Sequence, residues 1–469
     1  MDSVLTINKI KQRLESHREL RFAYALLNDF PDGEVYLVGG AVRDAILNRE
    51  CKDFDFVVRG IPSGELEKWL ASQGQVDFVG RNFGVYKFLP AGHSSPQNEF
   101  IDIALPRTEE TVRDSQGGYR DFEISTHPFL PILYDLERRD FTINAIAYEL
   151  RSQTLYDPYN GIKDIERQLI RAVGEPTLRF GEDLSRMLRG LRFAIQLKFT
   201  IEEKTWSSIL ENIHRINERR ASDPSMMDKM LGRKNDFVVP RETIGKEFLK
   251  SALASADQTI KLWGEVGALQ VLMPSPKMWL NHKTEKRTID EKTAENFSTR
   301  LAVIFSLLGA KAAEAIYDEF VFGNVGHHHP AYVAKNLFIN LIATADLLIE
   351  RDPSVMPAHE FEKHFLTTYA AEIFIVAELR AHLVGGDIAS KLLDRVQIAK
   401  KRRAEIYAQL DVAPKKTIPP LLTGDEIMAT VHIKPGPKVG ELANKLRDVQ
   451  LEGVVIDEAQ AVEYIKSLK

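Results

Sequence analysis

The stretch Tyr36-Leu37-Val38-Gly39-Gly40-Ala41-Val42-Arg43-Asp44, followed by Asp53-Phe54-Asp55-Phe56-Val57-Val58, constrains the fold more than any other segment. It predicts an apolar strand, a double-glycine turn, a helix opening with Arg and Asp, and a second strand bearing two aspartates. Residues two apart in a strand project to the same side, so Asp53 and Asp55 are expected to aim their carboxylates at one spot. Like charges held that close repel unless a cation lies between them, and oxygen ligands of this kind suit Mg²⁺. A glycine turn feeding a helix exposes N–H groups and a positive dipole end, which suits a phosphate. A phosphate cradle beside metal-binding carboxylates points to phosphoryl or nucleotidyl transfer.

Bulk properties narrow the setting. With 469 residues the chain is long enough for two to four domains, each with its own core. Its single cysteine, Cys51, excludes an intrachain disulfide framework and a multi-cysteine zinc site, and is read as a small packing residue. No apolar run reaches the roughly 20 residues that a membrane-spanning helix needs. The segment Met1–Leu20 resembles neither a signal nor a transit peptide, so a cytoplasmic protein without a membrane partner is expected. A net charge of −5 gives no global pull toward nucleic acid, so an RNA partner must meet local basic patches. Two candidates are Arg186, Arg189 and Arg192, and Lys400-Lys401-Arg402-Arg403 with Lys415-Lys416; the second reads equally well as a solvated helix face.

Along the chain, Ser3–Asn28 has helical periodicity and stops at Pro31-Asp32-Gly33. Strand, turn and helix through Leu47 precede the Asp53–Val58 strand; Pro62–Gln73 is expected to be helical, and Gln75–Val79, Val85–Leu89 and Phe100–Ala104 to be strands. Pro106–Pro131 reads as a long polar loop, and loops of that length are usually functional or mobile. Arg138-Arg139-Asp140 is expected to open a helical run through Leu150. Beyond Tyr156-Asp157-Pro158 the spacing is helical, with a basic, proline-bearing junction near Lys401–Pro420. The fold class expected is α+β: an N-terminal mixed α/β head, a small sheet with helices, over 1–150, then an all-helical neck (151–272), body (273–400) and tail (401–469). No internal repeat or low-complexity tract is present.

Three carboxylates, Asp53, Asp55 and Asp102, are candidates for a two-metal site, one ion activating the attacking hydroxyl and the other neutralising a triphosphate. For Asp102 alone, a salt bridge at a strand edge is the alternative reading. His327-His328-His329 are consecutive and do not converge on one ion, so they read as a polar loop before Pro330.

Taken together, the motifs resemble the class II tRNA nucleotidyltransferases and bacterial poly(A) polymerases. Gly39-Gly40-Ala41-Val42-Arg43-Asp44 with Asp53-Phe54-Asp55 looks like the head signature of that family, and Arg138-Arg139-Asp140-Phe141-Thr142-Ile143-Asn144-Ala145 is similar to its second motif. Glu182-Asp183-Leu184-Ser185-Arg186 through Arg192-Phe193 is similar to its base-reading motif, with Asp157-Pro158-Tyr159-Asn160-Gly161 between. Leu421–Asp425 and Lys434–Pro437 resemble the tail of bacterial members.

The resemblance implies roles. Asp53 and Asp55 would hold Mg²⁺, with Asp102 as the third catalytic carboxylate. Gly39 and Gly40 would present backbone to the triphosphate, Arg43 and Arg139 would meet its oxygens, and Asp140 with Asn144 would meet the ribose hydroxyl. Asp183 and Arg186, three apart on one helix face, would read the amino donor and ring-nitrogen acceptor that cytosine and adenine share. Arg189 and Arg192 would continue that face toward phosphates. The implied activity is template-independent addition or repair of the 3′-terminal CCA on tRNA from CTP and ATP; A-only addition or polyadenylation is the alternative. The full length of Pro106–Pro131 argues against CC-only addition. Intact acidic positions argue against a non-catalytic RNA-binding protein, and the long helical half against a protein or small-molecule acceptor. Two departures stand out. Residues 221–238 read as an insertion before a Glu-Arg-Ile-like segment at Arg241-Glu242-Thr243-Ile244, and no His-Asp dipeptide signals a phosphohydrolase domain.

Overall fold

The computed structural model describes residues 3–468 apart from 52, 80–83, 93–99, 112–116, 119–121, 220–236, 273–296, 307, 321–332 and 414–417. Contacts divide the chain into two compact units, Met1–Pro274 and Ser275–Lys469. No helix among the described residues is long and apolar enough to cross a membrane.

The first unit starts with α1 (Ser3–Ser16) and α2 (Arg21–Asp29), then β1 (Glu34–Val38) and α3 (Gly40–Ile46). Every residue of β1 after Glu34 is buried, because β1 lies inside a sheet covered on both faces, and such strands read as unbroken apolar runs. β2 (Asp55–Arg59), α4 (Ser63–Gln73), β3 (Gly74–Val79), β4 (Val85–Pro90) and β5 (Ile101–Ala104) follow. After β6 (Arg107–Thr111), β7 (Phe122–Thr126) and α5 (Ile132–Glu137) come β8 (Ala147–Glu149) and β9 (Thr154–Tyr156). The seven-stranded sheet has the order β3-β4-β5-β2-β1-β8-β9, and only β2 and β5 run parallel. Their register sets Asp55 opposite Asp102.

Three local expectations are corrected. Asp53 lies outside β2, which begins at Asp55: β1 ends at Val38, the partner of Asp55, and at Gly39 the chain turns into α3, so nothing remains for Asp53 to pair with. The stretch 106–131 is not simply a loop, since β6 and β7 pair as an antiparallel hairpin; Tyr119-Arg120-Asp121 at its centre fall outside the described residues. The run from Arg138 to Leu150 is not a helix. A single helical turn at Thr142–Asn144 leads into β8, which pairs with β1. Residues 140–150 are all buried, so the segment has no polar face with which to show a period.

Helices then dominate: α6 (Gly161–Glu166), α7 (Pro176–Glu182), α8 (Ser185–Leu197), α9 (Glu203–Asn212), α10 (Arg241–Ala254), α11 (Ala256–Glu265) and α12 (Ala268–Leu272). The helix expected across Phe180–Lys198 is broken at Asp183, whose backbone is extended. The apolar phase continues through the break, with Phe180, Leu184, Met187, Leu188 and Leu191 all 0% exposed. Most of the insertion lies outside the described residues; at its base Arg219 bridges Phe237 and the Val238 N–H donates to the Glu218 carbonyl, 2.9 Å.

The second unit comprises α13 (Phe297–Phe305), α14 (Ala310–Glu319), α15 (Lys335–Glu350), α16 (Ala358–Phe365), α17 (Ala370–Val384), α18 (Gly386–Gln409), α19 (Gly424–Val431), α20 (Pro437–Leu451) and α21 (Glu458–Ser467). α18 runs unbroken through Lys400–Arg403, so the chain's next break follows Gln409. The last three helices share a core of Leu422, Ile427, Val431, Leu442, Leu446 and Ile465. Thr423 and Glu426 close a capping box on α19, an arrangement worth about 1 kcal/mol. The triple histidine and Lys415-Lys416 lie outside the described residues.

Candidate active site

A cleft of about 860 Å³ opens in the first unit at the ends of β1, β2 and β5. Eight cationic side chains line it against seven carboxylates, so the pocket lacks the chain's overall negative balance. All the sequence-predicted site residues except Gly39 line it: Gly40, Arg43, Asp53, Asp55, Asp102, Arg139, Asp140, Asn144, Asp183, Arg186, Arg189 and Arg192.

The carboxylate end is built by the sheet. Asp55 and Asp102 face each other across the parallel pair, with Asp53 just ahead of the strand. Burial pushes the Asp55 carboxyl up to about 6; Arg139 opposes this, while Asp102 and Asp53 add to it. Lys87, opposite Asp102 on β4, has Nζ 2.5 Å from Asp102 Oδ1. Yet no donor reaches that buried oxygen in hydrogen-bond geometry. Asp102 does make a salt bridge, but on an interior strand and beside a second carboxylate. Among the described residues no three His, Cys, Asp or Glu side chains converge as a complete metal cage. Two facing carboxylates, one of them met by a single lysine without hydrogen-bond alignment, still fit a hard divalent cation of the kind that takes its remaining ligands from phosphates and water.

Beside them lies the glycine turn. Gly39 has φ +70°, a conformation L side chains rarely adopt, and a Cβ there would collide with the Arg139 guanidinium. Its N–H already donates to the Ile146 carbonyl, 3.2 Å, so Gly39 supplies shape and space, and the open N–H groups begin with the first turn of α3. Arg43 is clamped: Nε and Nη2 donate to Asp44, both 2.9 Å, and Nη1 to Asn144 Oδ1, 2.7 Å. Asn144 Nδ2 in turn donates to Asp140 Oδ1, 3.1 Å, and Arg189 Nε to Asp140 Oδ2, 2.7 Å. Burial alone would raise the Asp140 carboxyl, but Arg189 and Asn144 hold it well below the usual carboxylate range. In the same way Asp140 holds the Arg189 guanidinium above its ordinary value.

The base-reading residues differ from expectation. Because α8 starts at Ser185, Asp183 and Arg186 are not neighbours on one helix face. Asp183 Oδ1 accepts from the Ser185 N–H, 2.9 Å, in the manner of a cap, and burial raises its carboxyl. Arg186 Nη1 donates to Glu182 Oε2, 2.6 Å, and to the Arg179 carbonyl, while Nη2 reaches the Arg138 carbonyl, 3.1 Å. Both side chains still line the cleft. Arg192 Nε donates to Glu247 Oε2 at 2.5 Å, and burial lowers its guanidinium. The Phe193 ring lies beneath three guanidiniums, with Arg192 4.1 Å, Arg43 5.1 Å and Arg189 5.5 Å from its centroid. The half-buried Cys51 donates to the Asp53 carbonyl and its thiol is pushed up to about 11, first by burial and then by Asp44.

Sequence reasoning missed Asp135, Glu247, Lys87 and Lys250, and quoted Arg138 and Glu182 within motifs without giving them a role. Asp135 precedes the two arginines by three and four residues, a helical spacing that signals contact. Lys250 and Glu247 share that spacing on α10, where Lys250 lines the cleft and burial lowers its amine.

Residues 35–171 match the poly A polymerase head domain. A multifunctional CCA protein of Stenotrophomonas maltophilia is 41% identical over 181 residues, which span 38% of this chain and 40% of that protein. The match thus covers about two-fifths of that relative's length. A CCA-adding enzyme of Lactobacillus gasseri is 27% identical over 439 residues, 93% of either chain. The crystal structure of the Bacillus stearothermophilus CCA-adding enzyme in complex with CTP shares the fold, with a TM-score of 0.68, 21% identity and coverage of 96% of this chain and 98% of that one. Residues 35–171 thus carry a poly A polymerase head domain, within a chain that shares the fold of a CCA-adding enzyme.

Proposed function

We propose that this protein is a template-independent RNA nucleotidyltransferase that builds or repairs the 3′-terminal CCA of tRNA from CTP and ATP, releasing pyrophosphate. One observation carries it: a single cleft holds facing carboxylates, a φ-positive glycine turn backed by Arg139, and, at the break leading into α8, Asp183 and Arg186. Arg139, fixed beside Gly39, meets the triphosphate, and the first turn of α3 offers it N–H donors. Arg43 adds charge from beneath. Asp53, Asp55 and Asp102 would hold Mg²⁺, which would supply charge neutralisation for the triphosphate and activation of the RNA 3′ hydroxyl. A carboxylate already buried beside a second one gains its counter-charge at the moment the nucleotide arrives. Asp140 and Asn144, bonded to one another in the cleft, would meet the ribose hydroxyl. Asp183 and Arg186 offer acceptor and donor to the shared edge of cytosine and adenine.

The division into head (1–150), neck (151–272), body (273–400) and tail (401–469) goes with this proposal, as does a cytoplasmic location alongside tRNA. The paired hairpin β6–β7 supports addition beyond CC.

The test offers tRNA transcripts lacking CCA, CA or A, with labelled CTP and ATP singly and together, and reads products at nucleotide resolution. Sequential C, C and A addition, stopping at CCA, is expected. Addition of A alone, or of long A tails, would assign the chain to the A-adding or polyadenylating branch. No incorporation would overturn the proposal.

A further inference from the structure

Asp135 is the one carboxylate beside the cleft that is entirely buried and yet bonded to two of its arginines. It sits on the last turn of α5, which packs through Ile132 and Leu136 against Tyr36, Val38 and Val57 of the sheet. Its side chain is 0% exposed. Oδ1 accepts from Arg138 Nε at 3.0 Å and also from Arg138 Nη2. Oδ2 accepts from Arg139 Nη2 at 2.8 Å and Nε at 3.2 Å. Burial would raise this carboxyl, but the two guanidiniums hold it well below the usual carboxylate range. It is therefore an anion at every working pH.

Each arginine continues into the site. Arg139 Nη1 donates to the Asn144 carbonyl, 3.3 Å, and lies where a Cβ of Gly39 would be. The Arg138 carbonyl receives the Arg186 guanidinium, 3.1 Å. A long, flexible side chain such as Arg139 loses little freedom on binding when it is already held at both ends of its fork.

We infer that Asp135 is a positioning residue for the nucleotide, its single carboxylate fixing Arg139 against the Gly39 turn. This rests on the nucleotidyl-transfer function proposed above. Asp135 does not face the reacting atoms; it acts by holding Arg139 where phosphate oxygens arrive. Without the charge, the guanidinium swings away from the turn and must be reordered at each binding event.

The test measures KM for CTP and ATP, kcat and thermal midpoint for the wild type, Asp135→Asn, Arg139→Ala and the double variant. Asp135→Asn should raise KM for both nucleotides about tenfold or more, as expected for loss of a charge-assisted bond, and change kcat by less than about threefold. In the Arg139→Ala background the same change should leave KM where Arg139→Ala alone put it. A lowered midpoint with unchanged KM, or the same KM increase in both backgrounds, overturns the positioning role. If Asp135→Asn does not fold, Asp135→Glu decides: retaining the charge, it should keep KM within about threefold of wild type. A folded Asp135→Glu that binds as poorly as Arg139→Ala contradicts the inference. Wild-type protein that incorporates neither nucleotide overturns the reaction itself, a result distinct from any difference among the variants.

Discussion

Two arginine-rich segments of similar appearance in sequence do different work in the folded chain. Arg186, Arg189 and Arg192 recur every third residue on α8, so they share a face, line the cleft, and each meets a carboxylate: Glu182, Asp140 and Glu247. Lys400–Arg403 are consecutive on α18 and fan around the helix. Lys400 pairs with Glu378, Arg402 donates to the carbonyls of Pro353 and Met356, and Arg403 to that of Phe365, so three of the four hold neighbouring backbone and side chains in place. Lys401, 79% exposed, is the solvated one. The periodicity of the charges, rather than their number, separates a face that lines the cleft from a set of struts.

Mutations at the two segments sharpen that contrast. The largest effect is expected at the carboxylates the α8 face looks toward: Asp55→Asn should cut nucleotide incorporation by about a thousandfold or more while leaving RNA binding nearly intact, in a gel-shift and primer-extension pair. Next is Arg189→Ala, which takes the guanidinium away from the buried Asp140 carboxylate. It should lower stability by about 2–3 kcal/mol in urea unfolding, since Arg189 is partly exposed and Asp140 keeps its bonds from Asn144 and Phe141, whereas Arg402→Ala should cost only about 1 kcal/mol. Equal losses would erase the distinction between the segments. Arg186→Ala should reduce the preference for CTP and ATP over GTP and UTP by about ten- to a hundredfold, with RNA affinity less affected; unchanged preference with weaker affinity would make that arginine a phosphate contact. Arg403→Ala should leave nucleotide choice untouched.

The smallest effects are electrostatic and opposite in sign. Asp55, raised in the folded protein, binds more protons folded than unfolded between about pH 4 and 6, so it opposes stability as pH rises through that window. Without added metal, Asp55→Asn should therefore raise the thermal midpoint at pH 7.5 and change little at pH 4. Asp140 is lowered on folding and stabilises above the ordinary aspartate range, so its contribution falls away below about pH 4. A midpoint-against-pH series for the two variants reads both signs.

Much of the head was legible because its signals are local. The β1 strand, the Gly39 turn and the α3 helix follow from a few adjacent residues, and helical spacing marked α4, α9 and α10. What escaped depended on tertiary surroundings. The strand β8 was hidden in a segment buried on all sides, where neither a period of two nor of 3.6 survives. The break at Asp183 was invisible because Leu184 keeps the apolar phase of the helices on either side. The hairpin β6–β7 carries Thr and Glu more than apolar residues, so it read as a loop. In the site, the aspartates and glycines stood out by type, while Asp135 looked like any acidic residue in Tyr-Asp-Leu-Glu-Arg-Arg until its burial was seen.

The central claim is that Asp55 and Asp102 bind a divalent ion together with the nucleoside triphosphate. Crystals grown with CTP and Mn²⁺, measured at the manganese absorption edge, test it most directly. An anomalous peak within coordination distance of both carboxylates and the triphosphate, with Lys87 released from Asp102, is the predicted result. Manganese elsewhere, or CTP bound with the Asp102–Lys87 pair intact and no ion beside Asp55, would contradict it.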